Sequence, residues 1–256
     1  MPHELYQVVI GRRELPERNC MLRGGSDALV HFTYSLWIVV HGSAVTLIDT
    51  GFDAETAARR GIHFERTALD AIHEFDIAAN DVTTVVLSHL HFDHAGGLDA
   101  FPQATVYLQQ ADLDFYTGPF MRFPLCASAI EATHLAAIER VRSDGRLVLL
   151  SGDSNIEEHI RVHHLGGHTP GTQAVEVRSG KTTTVLASDA AHLYANLDHQ
   201  VPFPVLHDVP TSCLAFERLE RLSAEGAAVV PGHDGAVMDR FERVAGQRAQ
   251  YAVRLA

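Results

Sequence analysis

Cysteine is scarce in this chain. Cys20, Cys126 and Cys213 are three in number, far apart and in no C-x-x-C pair, which argues against a disulfide scaffold and fits a reducing compartment. Also missing is any unbroken apolar run long enough to cross a bilayer. The opening MPHELYQVVIGRRELPERNC has no basic segment followed by an apolar stretch of the secretory kind. The expectation is a cytoplasmic protein with no membrane partner. Basic residues are few as well: 20 Lys and Arg stand against 32 Asp and Glu, a formal net charge of -12. A polyanion is a poor partner for such a surface, so nucleic acid is not expected.

What the chain has in excess is histidine, with 17. His3, His63, His73, His134 and His159 lie in polar surroundings and read as surface or capping residues. The rest invite a closer look because several cluster behind apolar strands.

The 256 residues suffice for a sizeable core. YSLWIVVHGSAVTLIDTG reads as two buried strands meeting at a turn through Gly42 and Ser43 and ending at Asp49-Thr50-Gly51. Residues 54 to 79 carry one or two helices interrupted near Gly61, and TTVVLSH is a short buried strand. ATVYLQQ follows as a strand, 109 to 116 as a short helix and 128 to 142 as a longer one. RLVLL and IRVHHL read as strands, GTQAVEV and TTTVLASD as a hairpin around Gly180-Lys181, 212 to 224 as a helix, and AAVVPGHDG as strand then loop. No low-complexity linker divides the chain, so residues 1–256 are expected to form one domain of two αβ halves with facing sheets. The stretch 116 to 126, YTGPFMRFPLC, is unusually apolar for a connection. It is either a lid or pocket wall, or a plain buried loop.

The chemistry-bearing residues sit where strands end: His89-x-His91-x-Asp93-His94, then His168 in LGGHTPG, Asp189 in LASDAAH and His233 in VVPGHDG. All are imidazole or carboxylate donors, which suit zinc first, with Mn, Co or Fe also possible. Alternate positions in an extended loop let His89 and His91 point at one ion while Asp93 and His94 turn toward a second. Seven donors are too many for one tetrahedral ion and about right for two divalent ions sharing a carboxylate, at the roughly 3.5–4 Å separation of two-metal hydrolysis. Gly96-Gly97, Gly166-Gly167 and Gly232 flank the donors where a Cβ would crowd a tight turn. His163 and His164 are adjacent in a strand, so both cannot reach one site. Asp49 either caps the turn at Thr50-Gly51 or orients a ligand histidine from behind.

At these residues the chain resembles the metallo-β-lactamase superfamily. Within it the chain is most similar to the N-acyl homoserine lactonase group, from TLIDTG through SHLHFDHAGGLDAFP, HTPGTQ and SDAAHLYANLDHQVPF to PGHDG. The resemblance implies an α/β fold, an αββα sandwich of two facing mixed sheets flanked by helices. It implies that His89, His91 and His168 hold one metal, Asp93, His94 and His233 the other, with Asp189 bridging. It further implies a hydrolase that opens a lactone ring by attack of a metal-bridging hydroxide, Asp93 acting as both ligand and proton shuttle. A thioester or aryl-ester hydrolase of the glyoxalase II kind would use the same donors. The partner expected is a small-molecule lactone or ester, and the oligomeric state a monomer or homodimer.

The chain departs from the lactonases at one place. They carry a tyrosine three residues after the bridging aspartate, where this chain has His192; Tyr194 lies two residues further on. Either His192 or Tyr194 is the expected hydrogen-bond donor to the substrate carbonyl or leaving oxygen. For substrate contacts, Phe120, Met121 and Phe123 are candidate pocket walls, Arg122 a candidate carboxylate partner, and the loop after Asp189 a second wall.

Overall fold

The computed structural model describes residues 3–42 and 44–256, so Ser43 of the expected turn lies outside the described residues. The chain opens with a long strand, β1 (Glu4–Pro16), which pairs antiparallel with β2 (Leu29–His41) from Glu4↔Val40 to Pro16↔Leu29, with a bulge between Val9 and Gly11. β3 (Ala44–Ile48) returns beside β2. Helix α1 (Ala54–Arg60) starts on the Asp53 carboxylate, which accepts from the Thr56 amide, and stops at Gly61, whose left-handed backbone few other residues adopt. The two-residue β4 (His63–Phe64) and helix α2 (Ala68–His73), capped by Thr67, lead to β5 (Val82–Val86).

β6 (Thr105–Gln109), α3 (Gln110–Tyr116), the short α4 (Pro124–Ala127), α5 (Ala132–Ser143) and β7 (Leu147–Leu150) complete the first half. The second half holds β8 (Ser154–Glu157), β9 (Ile160–His164), β10 (Gln173–Ser179), β11 (Thr182–Ser188), α6 (Tyr194–His199), α7 (Val209–Ala224) and β12 (Ala228–Pro231). After α8 (Val237–Arg240) come β13 (Glu242–Arg243) and β14 (Ala252–Arg254), which return to the first sheet beside β1.

Two sheets result. The larger runs β13-β14-β1-β2-β3-β5-β6-β7, with β4 on β1; its β3-β5-β6-β7 part is parallel, which requires the α1–α2, α3 and α5 crossovers. The smaller runs β12-β11-β10-β9-β8, antiparallel except for the β11–β12 pair, which α6 and α7 connect. Apolar faces of both sheets share one core that takes in Leu5, Leu36, Trp37, Val85, Val162, Val175 and Leu186. Helix α7 buries Ser212, Ala215, Phe216, Leu219 and Leu222, a stripe at helical spacing, against Ala174, Val185 and Ala187 on the outer face of the smaller sheet. The architecture is the expected mixed-sheet sandwich with helices outside. Among the described residues no helix is long and apolar enough to cross a membrane, and the three cysteines are free.

Two histidines read as surface residues are buried. His134 faces inward on α5 in the stripe His134, Ala137, Ile138, Val141, and His159 packs beneath His3 in the turn between β8 and β9. Locally polar sequence does not reveal what another element covers.

Candidate metal centre

The parallel strands end at one edge of the sandwich, and the donors lie there. β5 delivers His89, His91, Asp93 and His94; the loop after β9 delivers His168; β11 and β12 end at Asp189 and His233. All seven are buried. Ring and carboxylate atoms of His89, His91, His168 and Asp189 converge within 4.8 Å of one another, as do those of Asp93, His94 and His233.

Asp189 joins the groups. Its Oδ2 lies 3.2 Å from His168 Nε2 and 3.7 Å from His89 Nε2, while its Oδ1 lies 2.9 Å from His233 Nε2 and 3.2 Å from His94 Nε2. Asp93 Oδ2 closes the second group at 3.6 Å from His94 Nε2 and 3.7 Å from His233 Nε2. One carboxylate thus presents an oxygen to each triad.

The ring orientations follow from hydrogen bonds behind them. Asp49 accepts from His94 Nδ1–H at 2.7 Å, which leaves the lone pair on Nε2; the Thr33 carbonyl does the same for His233 Nδ1–H at 2.8 Å. Asp49 is itself fixed by the Ser88 amide and hydroxyl, and the Ser188 hydroxyl donates onward to Ser88 across the two sheets. Asp49 and Ser188 both hold left-handed backbones, φ 62° and 46°, which cost roughly 1–3 kcal/mol each and persist only where surroundings impose them. Of the two readings of Asp49, the geometry favours the orienting one.

Asp112 of α3 is a residue the sequence did not reveal. It is fully buried, accepts from the Leu90 amide at 2.8 Å and the Gly171 amide at 2.7 Å, and so clamps the His89–His94 loop to the His168 loop. His164 adds a brace: its Nε2–H donates to the Pro170 carbonyl, while His163 faces away onto Glu176. Two glycines are required at this edge. A Cβ on Gly96 would meet the Gly51 carbonyl at 2.5 Å, and one on Gly167, with φ +83°, would meet the Ser212 backbone at 2.7 Å.

Electrostatics separate the triads. His89 and His91 are held well below the ordinary imidazole range, first by burial and then by neighbouring imidazoles. His94 and His233 are raised: burial opposes this, and the carboxylates of Asp189 and Asp93, with Asp49 beside His94, outweigh it. Burial would also lift Asp189, yet His192, His233, His94 and His168 hold it well down. Two carboxylates therefore draw positive charge into a buried space. The Nε2 atoms of His89 and His94, buried and without hydrogen-bond partners among the described residues, point into that space. An N/O donor set of this kind fits two divalent ions.

A cavity of about 360 Å³ opens above the donors. The expected substrate contacts are rearranged there. His192 stacks on Phe203 with centroids 4.0 Å apart, burial pushes it down to about 3, and its Nε2 lies 3.0 Å from Asp189 Oδ2. It braces the shared carboxylate. Tyr194 opens α6 with its amide bound to Asp234, and its ring lies under the Arg240 guanidinium at 3.6 Å, lining a different depression with Leu197 and Leu219. Arg122 is exposed and stacks on its neighbour Phe123.

The phenol in the cavity is instead Tyr34 of β2, which burial raises above the ordinary range and keeps protonated, beside Asp93 and the Arg13 guanidinium. Arg13 is half-buried and, among the described residues, has no carboxylate partner, whereas Arg60 across the cavity is paired with Glu131 at 2.9 Å. The one available signal was the period-two spacing of Phe32 and Tyr34, which puts both on one face of β2. A second, more apolar groove of about 320 Å³ leads from His91 and His168 past Phe115, Leu125, Cys126 and Val205. Part of 116–126 is thus a wall, while Phe120 and Phe123 are 52% and 45% exposed.

Comparison with known proteins agrees with this geometry. The chain is 24% identical over 268 residues to N-acyl homoserine lactonase AttM of Azorhizobium caulinodans, covering 94% of this chain and 97% of that one. It is 26% identical over 243 residues to N-acyl homoserine lactonase AiiA of Bacillus thuringiensis subsp. kurstaki, covering 86% and 91%. Among solved structures, an N-acyl homoserine lactone hydrolase with N-hexanoyl-L-homoserine at its catalytic metal centre superposes with a TM-score of 0.75 at 20% identity, covering 94% and 96%. AidC, a dizinc quorum-quenching lactonase, gives 0.72 at 19%, covering 90% and 87%. A profile of the metallo-beta-lactamase superfamily matches residues 30–233. Because that match begins in β2 and ends on His233, it takes in every one of the seven converging donors, and the chain belongs to the metallo-beta-lactamase superfamily.

Proposed function

We propose that this protein is a dinuclear metal-dependent hydrolase that opens lactone rings, N-acyl homoserine lactones or related cyclic esters. The observation that carries the reading is Asp189, whose two oxygens serve separate donor triads beneath one cavity. Similarity to lactonases over nearly the whole chain supports the substrate class.

His89, His91 and His168 would hold one ion, Asp93, His94 and His233 the second, and Asp189 both. Two bound divalent ions supply Lewis acidity toward a carbonyl and bring the pKa of water toward neutrality. The chain does the rest. Asp93, at the cavity floor, accepts a proton from the nucleophile and returns it to the leaving oxygen. Tyr34 donates a hydrogen bond to the ring ester, taking the place expected of His192 or Tyr194, and His192 keeps Asp189 in position. The apolar groove past Leu125 and Val205 receives an acyl tail, and Arg13 meets a polar or anionic end.

The test is proton release in a pH-stat on zinc-reconstituted protein, across acyl homoserine lactones of graded length, simple γ-lactones, an aromatic lactone and an acyl thioester. Ring esters should outcompete the thioester. Thioester turnover with inert lactones would replace this reading with a glyoxalase II-like thioesterase. Asp93→Asn should slow turnover beyond any loss of metal; full rate at full metal content would remove the shuttle.

A further inference from the structure

The sandwich carries a second histidine cluster at its other end. β2 runs from Phe32, whose ring stacks on His233, to His41, nine residues or about 30 Å away. His3 immediately precedes β1, whose Glu4 pairs with Val40, and His159 sits in the turn that starts β9, the strand that leads at its far end toward His168. Two sheets that present donors at one edge thus bring three more imidazoles together at the opposite edge.

The three rings pack closely, and a rotation of His3 about its side-chain torsions turns its lone pair from parallel with that of His159 toward a shared point. His3 and His159 lie face to face with centroids 3.6 Å apart and planes 9° from parallel, and the His41 ring is 4.1 Å from His3 and 5.0 Å from His159. One nitrogen from each falls within 4.8 Å of the others. The His159 side chain is 8% exposed, yet among the described residues its Nε2 has no hydrogen-bond partner, and neither has the buried His3 Nδ1. Such orphaned buried nitrogens are costly unless something binds them.

A carboxylate stands beside the trio. Glu157 Oε2 lies 3.4 Å from His159 Nε2, close enough to offset the charge of an ion held there. The other oxygen, Oε1, accepts from Thr46 Oγ1 at 2.9 Å and fixes the carboxylate from behind. Burial holds His3 and His159 below the ordinary imidazole range, so both offer lone pairs at neutral pH.

We propose that His3, His41 and His159, backed by Glu157, form a structural site for a divalent first-row transition ion, zinc or a neighbour in its affinity series. Three imidazoles suit such an ion, and Glu157 beside His159 supplies compensating charge. His41 lies in the larger sheet and His3 just before its first strand, Glu157 in the smaller sheet and His159 in its β8–β9 turn. A bound ion therefore staples the sheets together and ties down the start of β1. This inference is independent of the lactone reading.

The experiment compares untagged wild-type protein with His41→Ala and Glu157→Gln, each equilibrated with zinc and measured for bound metal and thermal stability. His41 is exposed, so its loss leaves folding intact, and lactone turnover should not change. Wild type should bind one zinc per chain more than His41→Ala, and Glu157→Gln should bind that extra zinc at least tenfold more weakly. With free zinc a hundredfold above the site's dissociation constant, the wild-type Tm should exceed that of His41→Ala by about 5–10 °C. Equal metal content and equal Tm in wild type and His41→Ala would overturn the proposal, whether or not lactones are hydrolysed.

Discussion

The two donor triads at the active edge are unlike each other. His94 and His233 are anchored ring by ring, on Asp49 and the Thr33 carbonyl, and share their space with Asp93. Among the described residues His91 and His168 have no such anchor: their ring nitrogens face each other at 2.8 Å, and backbone ties hold their loops, the Asp112 clamp at Leu90 and Gly171 and the Gln173 bonds to Ser88 and Leu87. One triad is oriented by a carboxylate and a carbonyl behind its rings; the other, beyond the Ser88 hydroxyl 3.1 Å from His89 Nδ1, is oriented by the position of its loops. The apolar groove opens on the loop-held triad, and Arg13 and Tyr34 stand beside Asp93 of the anchored one. Substrate would accordingly lie across the pair with its tail over His91 and His168 and its polar end toward Arg13.

The largest effect should come from the residue common to both. Asp189→Ala removes one oxygen from each triad, so zinc affinity at both should fall by more than the roughly 100-fold upper limit typical of partners behind a ligand. Competition with a chromophoric chelator, in a His41→Ala background that lacks the distant site, resolves two dissociation constants. If only one of them moves, Asp189 is not shared.

Asp49→Asn should split the triads. An amide NH₂ facing His94 Nδ1 forces that nitrogen to accept, moves the ring proton to Nε2 and removes the lone pair a metal needs. The expected cost is about 10–100-fold in zinc affinity at the Asp93 triad alone. Equal weakening of both constants would mean that Asp49 supports the fold and not the ring.

The triads should also answer acid with opposite signs in metal-free protein. His89 and His91 are depressed, so the stability they contribute is present above the unfolded value of about 6.5 and lost as pH falls below it. His94 is raised, so its contribution is complete below about 6.5 and lost as pH climbs through its folded value. Imidazole NMR on apoprotein should find His94 still protonated at neutral pH and His89 already neutral. Both titrating together near 6.5 would erase the distinction.

How much of this was legible beforehand depends on what each residue needs for its meaning. The seven donors announce themselves because strand ends and histidine density are local patterns, and the sheets follow from apolar runs at TTVVL, TTTVL and AAVV. β1 was not assigned. Its GRRE stretch breaks the apolar alternation, and long pairing with β2 through a bulge restores it only in three dimensions. Asp112 looks like any polar residue on an amphipathic helix, and Tyr34 like core in an apolar strand; their roles come from loops that arrive from elsewhere. His159 reads as surface because the element that covers it is not its neighbour in sequence.

Arg13 offers the finest test of the asymmetry. It is half-buried without a carboxylate partner among the described residues, in a cavity whose other arginine is already neutralised by Glu131. A hydrogen bond to a charged group contributes roughly 1.5–3 kcal/mol when enclosed, and water at a half-open mouth reduces that to about tenfold in binding. Arg13→Met keeps the stem and removes the charge. KM for a lactone bearing a carboxylate should therefore rise about tenfold while kcat holds, because the lost contact is made equally in ground and transition states. A neutral lactone with the same acyl tail should be almost unaffected, since its tail would lie over the other triad. If both substrates suffer alike, Arg13 serves the architecture of the cavity and the two ends are not divided between the triads.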